Sequence, residues 1–195
     1  DREGNLYVRH CAVVGESHEL ARAARANRGL VVANVGTIVE KDPAQIFLPA
    51  GAVDAVVHHP DTEQTAGVFH RTYWPMFTTE SDVAPEEGLE RVRFVNSLLP
   101  SLPRRTPADG VLARLAAAVL ASEVRRGARV AIGTGMPEQV APVLLEAGLA
   151  GDFTFLVESG VVGGLPAPGV YFGASISPRE IVSSAELFRR CRAGL

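Results

Sequence analysis

The chain has 195 residues, 47% of them hydrophobic and 21% charged, the balance of a soluble globular protein with room for one large domain or two small ones. A net charge of -3 gives no basic field to hold nucleic acid or an anionic membrane, and no apolar run approaches the roughly 20 residues that a membrane span requires. Two cysteines near opposite ends, Cys11 and Cys191, form neither a disulfide framework nor a zinc pair, so a reduced cytoplasmic protein is the expectation.

The first residues, Asp1-Arg2-Glu3-Gly4-Asn5, lack a methionine and read as a turn inside a larger polypeptide, or as the product of processing. Glu16 to Arg28 predicts a helix, with Leu20, Ala21, Ala24 and Ala26 among charges, Ser17 as N-cap and Gly29 as stop. Leu30 to Val35 predicts a strand buried on both faces, and Gln45 to Leu48 and Val53 to Val57 predict two more. Residues 78 to 106 hold Pro85, Pro100 and Pro103 with little periodicity, which predicts a linker with a short helix around Leu89 to Leu99.

The second segment is better patterned. Thr106 caps a helix whose first position is Pro107 and whose capping-box acid is Asp109, with Leu112, Leu115, Ala116, Val119 and Leu120 as its apolar face. Ala128 to Ile132 predicts a strand, Gly133 to Met136 a tight loop, and Pro137 the start of a helix that Gly148 stops. Phe153 to Val157 is the next strand. Ser177, Pro178 and Glu180 predict a capping box for a last helix with Ile181, Ala185 and Phe188 inward. Helices and strands alternating in short order imply right-handed crossovers, and the fold class is α/β with open, mainly parallel sheets and flanking helices.

In such sheets ligands bind beyond the carboxyl ends of the strands. Two glycine-rich loops fall there, Gly133-Thr134-Gly135-Met136-Pro137-Glu138 and Glu158-Ser159-Gly160-Val161-Val162-Gly163-Gly164-Leu165-Pro166. The first lacks the third glycine of a dinucleotide fingerprint, where Glu138 stands, and leaves a helix N-terminus with exposed N–H groups, a general anion or carbonyl site or a plain strand-to-helix turn. The second sets a carboxylate directly after an apolar strand, among Gly160, Gly163, Gly164 and Gly169, with no helix near enough for Glu158 to cap. Glycines there admit a bulky substrate and leave N–H groups for an oxyanion.

These residues resemble the glutamate-dependent, class I CoA-transferases, and among them the single-chain acetate or propionate enzymes. The resemblance rests on Val157-Glu158-Ser159-Gly160 followed by Gly163-Gly164-Leu165-Pro166 and Phe172-Gly173-Ala174. Gly133 to Glu138 is similar to the family's G-x-G-x-P-E loop at the same distance before the glutamate. Asp1 to Leu6 is similar to its D-x-x-G-N turn, and Tyr73 to Glu80 to its aromatic-proline segment. The family's first strand and glycine-rich CoA loop have no counterpart here, and Ala193-Gly194-Leu195 is all that could answer to its later G-G-G-L-D segment, so the chain looks like the middle of such an enzyme.

The resemblance implies two α/β halves: residues 1–77 as the end of the first, 78–106 as linker, and 107–195 as the start of the second. It implies Glu158 as the nucleophile that carries CoA between carboxylates, with Gly133, Thr134, Gly135, Met136, Pro137, Gly163 and Gly164 contacting the coenzyme. Coenzyme A is then a substrate, no cofactor is bound permanently and no metal is used. The expected partners are acyl-CoA, a short-chain carboxylate and either further copies of the chain or a complementary CoA-transferase segment. An acyl-CoA hydrolase on the same scaffold and a non-catalytic CoA-binding or partner subunit are the alternatives. His58-His59 reads as a strand end rather than a ligand pair, since neighbours on a strand point to opposite faces. Trp74 and Phe77 read as core or as acyl-pocket lining, Cys191 as core, and Arg104-Arg105 as a solvated pair.

Overall fold

The computed structural model describes residues 1–8, 11–60, 74–99 and 105–193. Tyr73, Arg104, Gly194 and Leu195, and the prolines at 100 and 103, lie outside the described residues.

The opening turn is built by its own acid. The Asp1 carboxylate accepts from the N–H groups of Glu3 and Asn5 (2.9 and 3.0 Å), from the Asn5 amide and from the Tyr7 hydroxyl. Gly4 takes a φ of 91°, and the buried Asn5 amide oxygen accepts from Ala50 N–H at 2.9 Å. Helix α1 (Ser17–Ala26) follows, but Ser17 donates its hydroxyl to Val14 rather than capping; the N-cap position is Glu16. Gly29 N–H closes the helix on Ala24 O at 2.8 Å, with Arg28 at φ 57°.

Strand β1 (Val32–Val35) pairs in parallel with β2 (Ala55–His58). Asp54 ties this pair to α1, accepting from Val31 N–H at 2.8 Å and pairing with Arg25. Those contacts, the Val31 N–H first, hold its carboxyl below the usual range. The expectation of a strand buried on both faces is corrected here: Leu30 is 77% exposed, Val32 63% and Val57 51%, because among the described residues the sheet is two strands wide. Gln45 to Leu48 forms no strand either. Pro43 and the Asp42 side chain start a 3₁₀ turn (Pro43–Gln45), and Leu48 meets Leu6 in a single bridge.

The larger body holds the core. Helix α2 (Pro85–Ser97) answers to the short helix expected around Leu89 to Leu99, starting four residues earlier at Pro85, and it buries Leu89 and Val92 and packs close to a later strand. Helix α3 (Pro107–Glu123) begins on the expected capping box: Thr106 Oγ1 accepts from Asp109 N–H, and Asp109 accepts from Thr106 N–H at 2.7 Å. Thr106→Ala is expected to lower stability by about 1 kcal/mol with an unchanged denaturant slope, read by urea unfolding. The buried stripe of α3 is Ala113 and Ala117, with Ala116 and Leu120 beside it; Leu112, Leu115 and Val119 are exposed. An alanine-rich helix carries two apolar stripes, and close approach to the following helix, Val140–Glu146, selects the one with small side chains.

Strand β3 (Arg129–Ile132) is followed by a 3₁₀ turn (Met136–Gln139) and helix α4 (Val140–Glu146). Then come β4 (Thr154–Val157), β5 (Val161–Val162), β6 (Leu165–Pro166), β7 (Ser175–Ile176), β8 (Glu180–Ile181) and helix α5 (Ser184–Arg192). The main sheet runs β3-β4-β5-β8, parallel between β3 and β4 and antiparallel thereafter, and β6 and β7 form a second ribbon. The fold is α/β with a mixed rather than a mainly parallel sheet in this half, since a three-residue turn after β4 cannot make a parallel crossover.

The last helix starts later than predicted. Ser183 Oγ accepts from Glu186 N–H, whereas Ser177 turns its hydroxyl to Val83 O and Glu180 sits in β8. Leu187 is the buried residue of α5, and Phe188 and Cys191 are exposed, against the expectation. No helix among the described residues is long and apolar enough to cross a membrane.

Candidate active site

Strands β3 and β4 are parallel neighbours, and their last residues, Ile132 and Val157, are paired in register. Gly133 and Glu158 therefore leave the sheet side by side at its carboxyl edge, about 4.8 Å of strand spacing apart. Glu158 begins a three-residue hairpin loop, Glu158-Ser159-Gly160, joining β4 to β5. Gly160 N–H closes the turn on Val157 O at 2.9 Å, and Gly160 holds a φ of 101°, the glycine position of such loops. Glu158 itself is exposed above the fully buried Val157, and its carboxylate makes no hydrogen bond or ion pair among the described residues. Ser159 turns inward and donates its hydroxyl to Gly173 O.

The neighbouring loop is held from beneath. Gly135 adopts φ 90° and ψ -130°, and its N–H donates to Glu138 Oε1 at 2.6 Å, where Thr134 Oγ1 also donates at 3.2 Å. The other oxygen of Glu138 accepts from Gly169 N–H at 2.9 Å. Arg105 donates to Gly135 O at 2.7 Å and stands 3.6 Å from Glu138. Glu138 is buried, whereas Gly133 and Thr134 are exposed and Met136 and Pro137 half-buried. The expected open row of N–H groups is thus partly filled, because the N–H of Gly135 is taken by the acid three residues on.

Gly163 and Gly164 lie farther along, where the chain leaves β5 for β6, both with positive φ. The N–H of Gly163 donates to Phe155 O at 2.7 Å, and a Cβ at Gly164 would fall on the carbonyl oxygen of Ile176. Glycine there permits two backbones to touch. Trp74 stacks on Phe77 and on Tyr171, which are tilted against each other, with centroids 5.1–6.0 Å apart; all three join the core, and burial raises the Tyr171 phenol. No cluster of three or more metal-ligating side chains forms among the described residues. Arg105, expected as one of a solvated pair, instead holds Gly135 O and faces Glu138. Glu138 stood in the sequence only as the last residue of the glycine loop; an acid three residues after a glycine and directly after proline was the sign of a capping box on a helix entry.

No protein-family model matches the chain. It is 29% identical over 194 residues to a caffeate CoA-transferase of Acetobacterium woodii, covering 96% of this chain and 33% of that protein. It is also 29% identical over 175 residues to the acetate CoA-transferase YdiF of Escherichia coli O157:H7, covering 87% of this chain and 29% of that one. The crystal structure of the YdiF acyl-CoA transferase apoenzyme from the same organism superposes with a TM-score of 0.72 at 24% identity, over 98% of this chain and 32% of the enzyme. A YdiF structure described as a thioester complex with CoA gives 0.71. The fold is that of these transferases. The chain is similar to these CoA-transferases along nearly all of its own length and spans about a third of theirs.

Proposed function

We propose that the chain carries the catalytic segment of a CoA-transferase acting on short acyl groups, with Glu158 as nucleophile. The observation that supports it is the register of β3 and β4, which sets an exposed, unpaired carboxylate beside the Gly133 to Pro137 loop. The Glu158 carboxylate attacks the acyl-CoA carbonyl, and the C–S bond breaks to give a glutamyl-acyl anhydride and CoA thiolate. The thiolate then attacks the glutamyl carbonyl, releasing the first carboxylate and leaving a glutamyl-CoA thioester. An acceptor carboxylate reverses both steps. A carboxylate suits this work because it exchanges one thioester for another of similar energy through a short-lived anhydride, so the glutamyl-CoA intermediate is not a trap.

In this reading Gly133, Thr134, Gly135, Met136 and Pro137 flank the CoA side of Glu158, and Gly163 and Gly164 shape the far end of its hairpin. Coenzyme A is a substrate, and no other cofactor takes part. Residues 1–77 and 107–195 correspond to the adjoining ends of two halves, with 78–106, including α2, between them. The open apolar side chains of β1, β2 and α3 favour work within a larger assembly, with further copies or a complementary CoA-transferase segment in the cytoplasm.

Incubation with acetyl-CoA and no acceptor tests the reading. The intact mass is expected to rise by one CoA less one water, with the label on the peptide containing Glu158 and reducible by borohydride. A label on Ser159 or a cysteine overturns the assignment. Free CoA released steadily without an acceptor acid would identify the hydrolase instead.

A further inference from the structure

Glu138 does more than a capping residue needs. A cap requires one oxygen, and Oε1 serves it by accepting from Gly135 N–H and the Thr134 hydroxyl. The second oxygen reaches a different part of the chain, Gly169 N–H, 31 positions later. Gly169 is itself wedged: its φ is 73°, and an added Cβ would fall on the Asn96 amide of α2, which donates to Pro168 O at 2.9 Å. At the other end of the same loop, Gly173 O receives the hydroxyl of Ser159, the residue after Glu158. A continuous path of hydrogen bonds and short backbone therefore runs from Gly135 through Glu138 to Gly169, along the loop to Gly173, and through Ser159 to Glu158.

We propose that Glu138 is a positioning residue of this site, tying the Gly133 to Pro137 loop and the loop from Pro168 to Gly173 into one arrangement beside Glu158; the role rests on the transferase reading above. The chemistry explains why an acid is present. Every group that faces Glu138 is a donor: a hydroxyl, two backbone N–H groups and the Arg105 guanidinium. Only a carboxylate offers acceptors on both oxygens; a glutamine would turn its NH₂ against one of them. Arg105 balances the buried charge and fixes the Gly135 carbonyl as well, so both sides of that peptide are held. A loop so held presents its backbone to the thioester without rearrangement during the reaction, and misplacement by about 1 Å typically costs on the order of 10²-fold in rate.

Glu138→Gln tests this with two measurements on the full chain. Amide hydrogen exchange at Gly135 and Gly169 is expected to accelerate about tenfold or more together, while Leu156 in β4 stays protected. The maximal rate of CoA loading at Glu158 is expected to fall roughly 10- to 100-fold, with the half-saturating acetyl-CoA concentration shifted less than about twofold. Unchanged exchange at Gly135 and Gly169, equal acceleration at every amide, or a change confined to the half-saturating concentration would overturn the role. A wild-type chain that takes up no CoA refutes the transferase reading instead, and the tie between the two loops is then decided by the exchange measurement alone.

Discussion

Replacing Glu158 by alanine is expected to abolish CoA loading and transfer, a loss of at least roughly three orders of magnitude, since nothing else in the hairpin can form the thioester. The same change is expected to move the melting temperature by no more than about 2 °C. Glu158 is exposed and bonded to nothing among the described residues, and surface changes of that kind cost within about 0.5 kcal/mol. The pairing of the two results is the informative part: a residue that matters to chemistry and not to stability is placed for reaction. A drop of several degrees would mean that the carboxylate supports the fold, and transfer persisting in the variant would remove it from the mechanism altogether.

Gly160→Ala is expected to be strongly destabilising. At φ 101° an alanine is strained, and the added Cβ would fall on the Val182 carbonyl, which is backbone and is held by the Val182 N–H bonding back to Gly160 O at 2.9 Å. Relief requires β8 to part from β5, so about 3 kcal/mol or more of stability is expected to go, some 6–12 °C in melting temperature for a chain of this size. Because Gly160 closes the hairpin that begins at Glu158, CoA loading is expected to fall with it. Gly133→Ala serves as the contrast: its Cβ would meet nothing within 4 Å and its φ is not positive, so its stability is expected to change little. A Gly160→Ala protein that melts within about 2 °C of the parent would show that β8 yields more easily than the close approach implies.

Local chemistry was legible in the sequence wherever a few adjacent residues decide the outcome. Thr106, Pro107 and Asp109 make a capping box from three side chains and their own backbone, and the structure has it. The runs ending at Ile132 and Val157 are strands because short β-branched and aromatic stretches between glycines have no competing helical period. The resemblance to CoA-transferases was carried by the same kind of short segment, around Glu158 and Gly133.

What the sequence left open was decided by contacts between distant residues. In α3 both apolar stripes satisfy a 3.6-residue period, and only packing against α4 and the Met136–Gln139 turn chose Ala113 and Ala117 over Leu112 and Leu115. The short helix expected around Leu89 to Leu99 exists as α2, but its place in the core rests on Gly88 letting Ile176 approach it, a match between residues 88 positions apart. The chain after Glu158 turns back along β4, and the close approach of Gly160 to Val182, 22 positions later, lets β8 lie beside that hairpin. Glu138 was visible only as a residue in a motif. Its hold on Gly169 exists because folding brings a buried carboxylate and a distant N–H within 2.9 Å, where leaving either unpaired would cost more than the bond itself contributes.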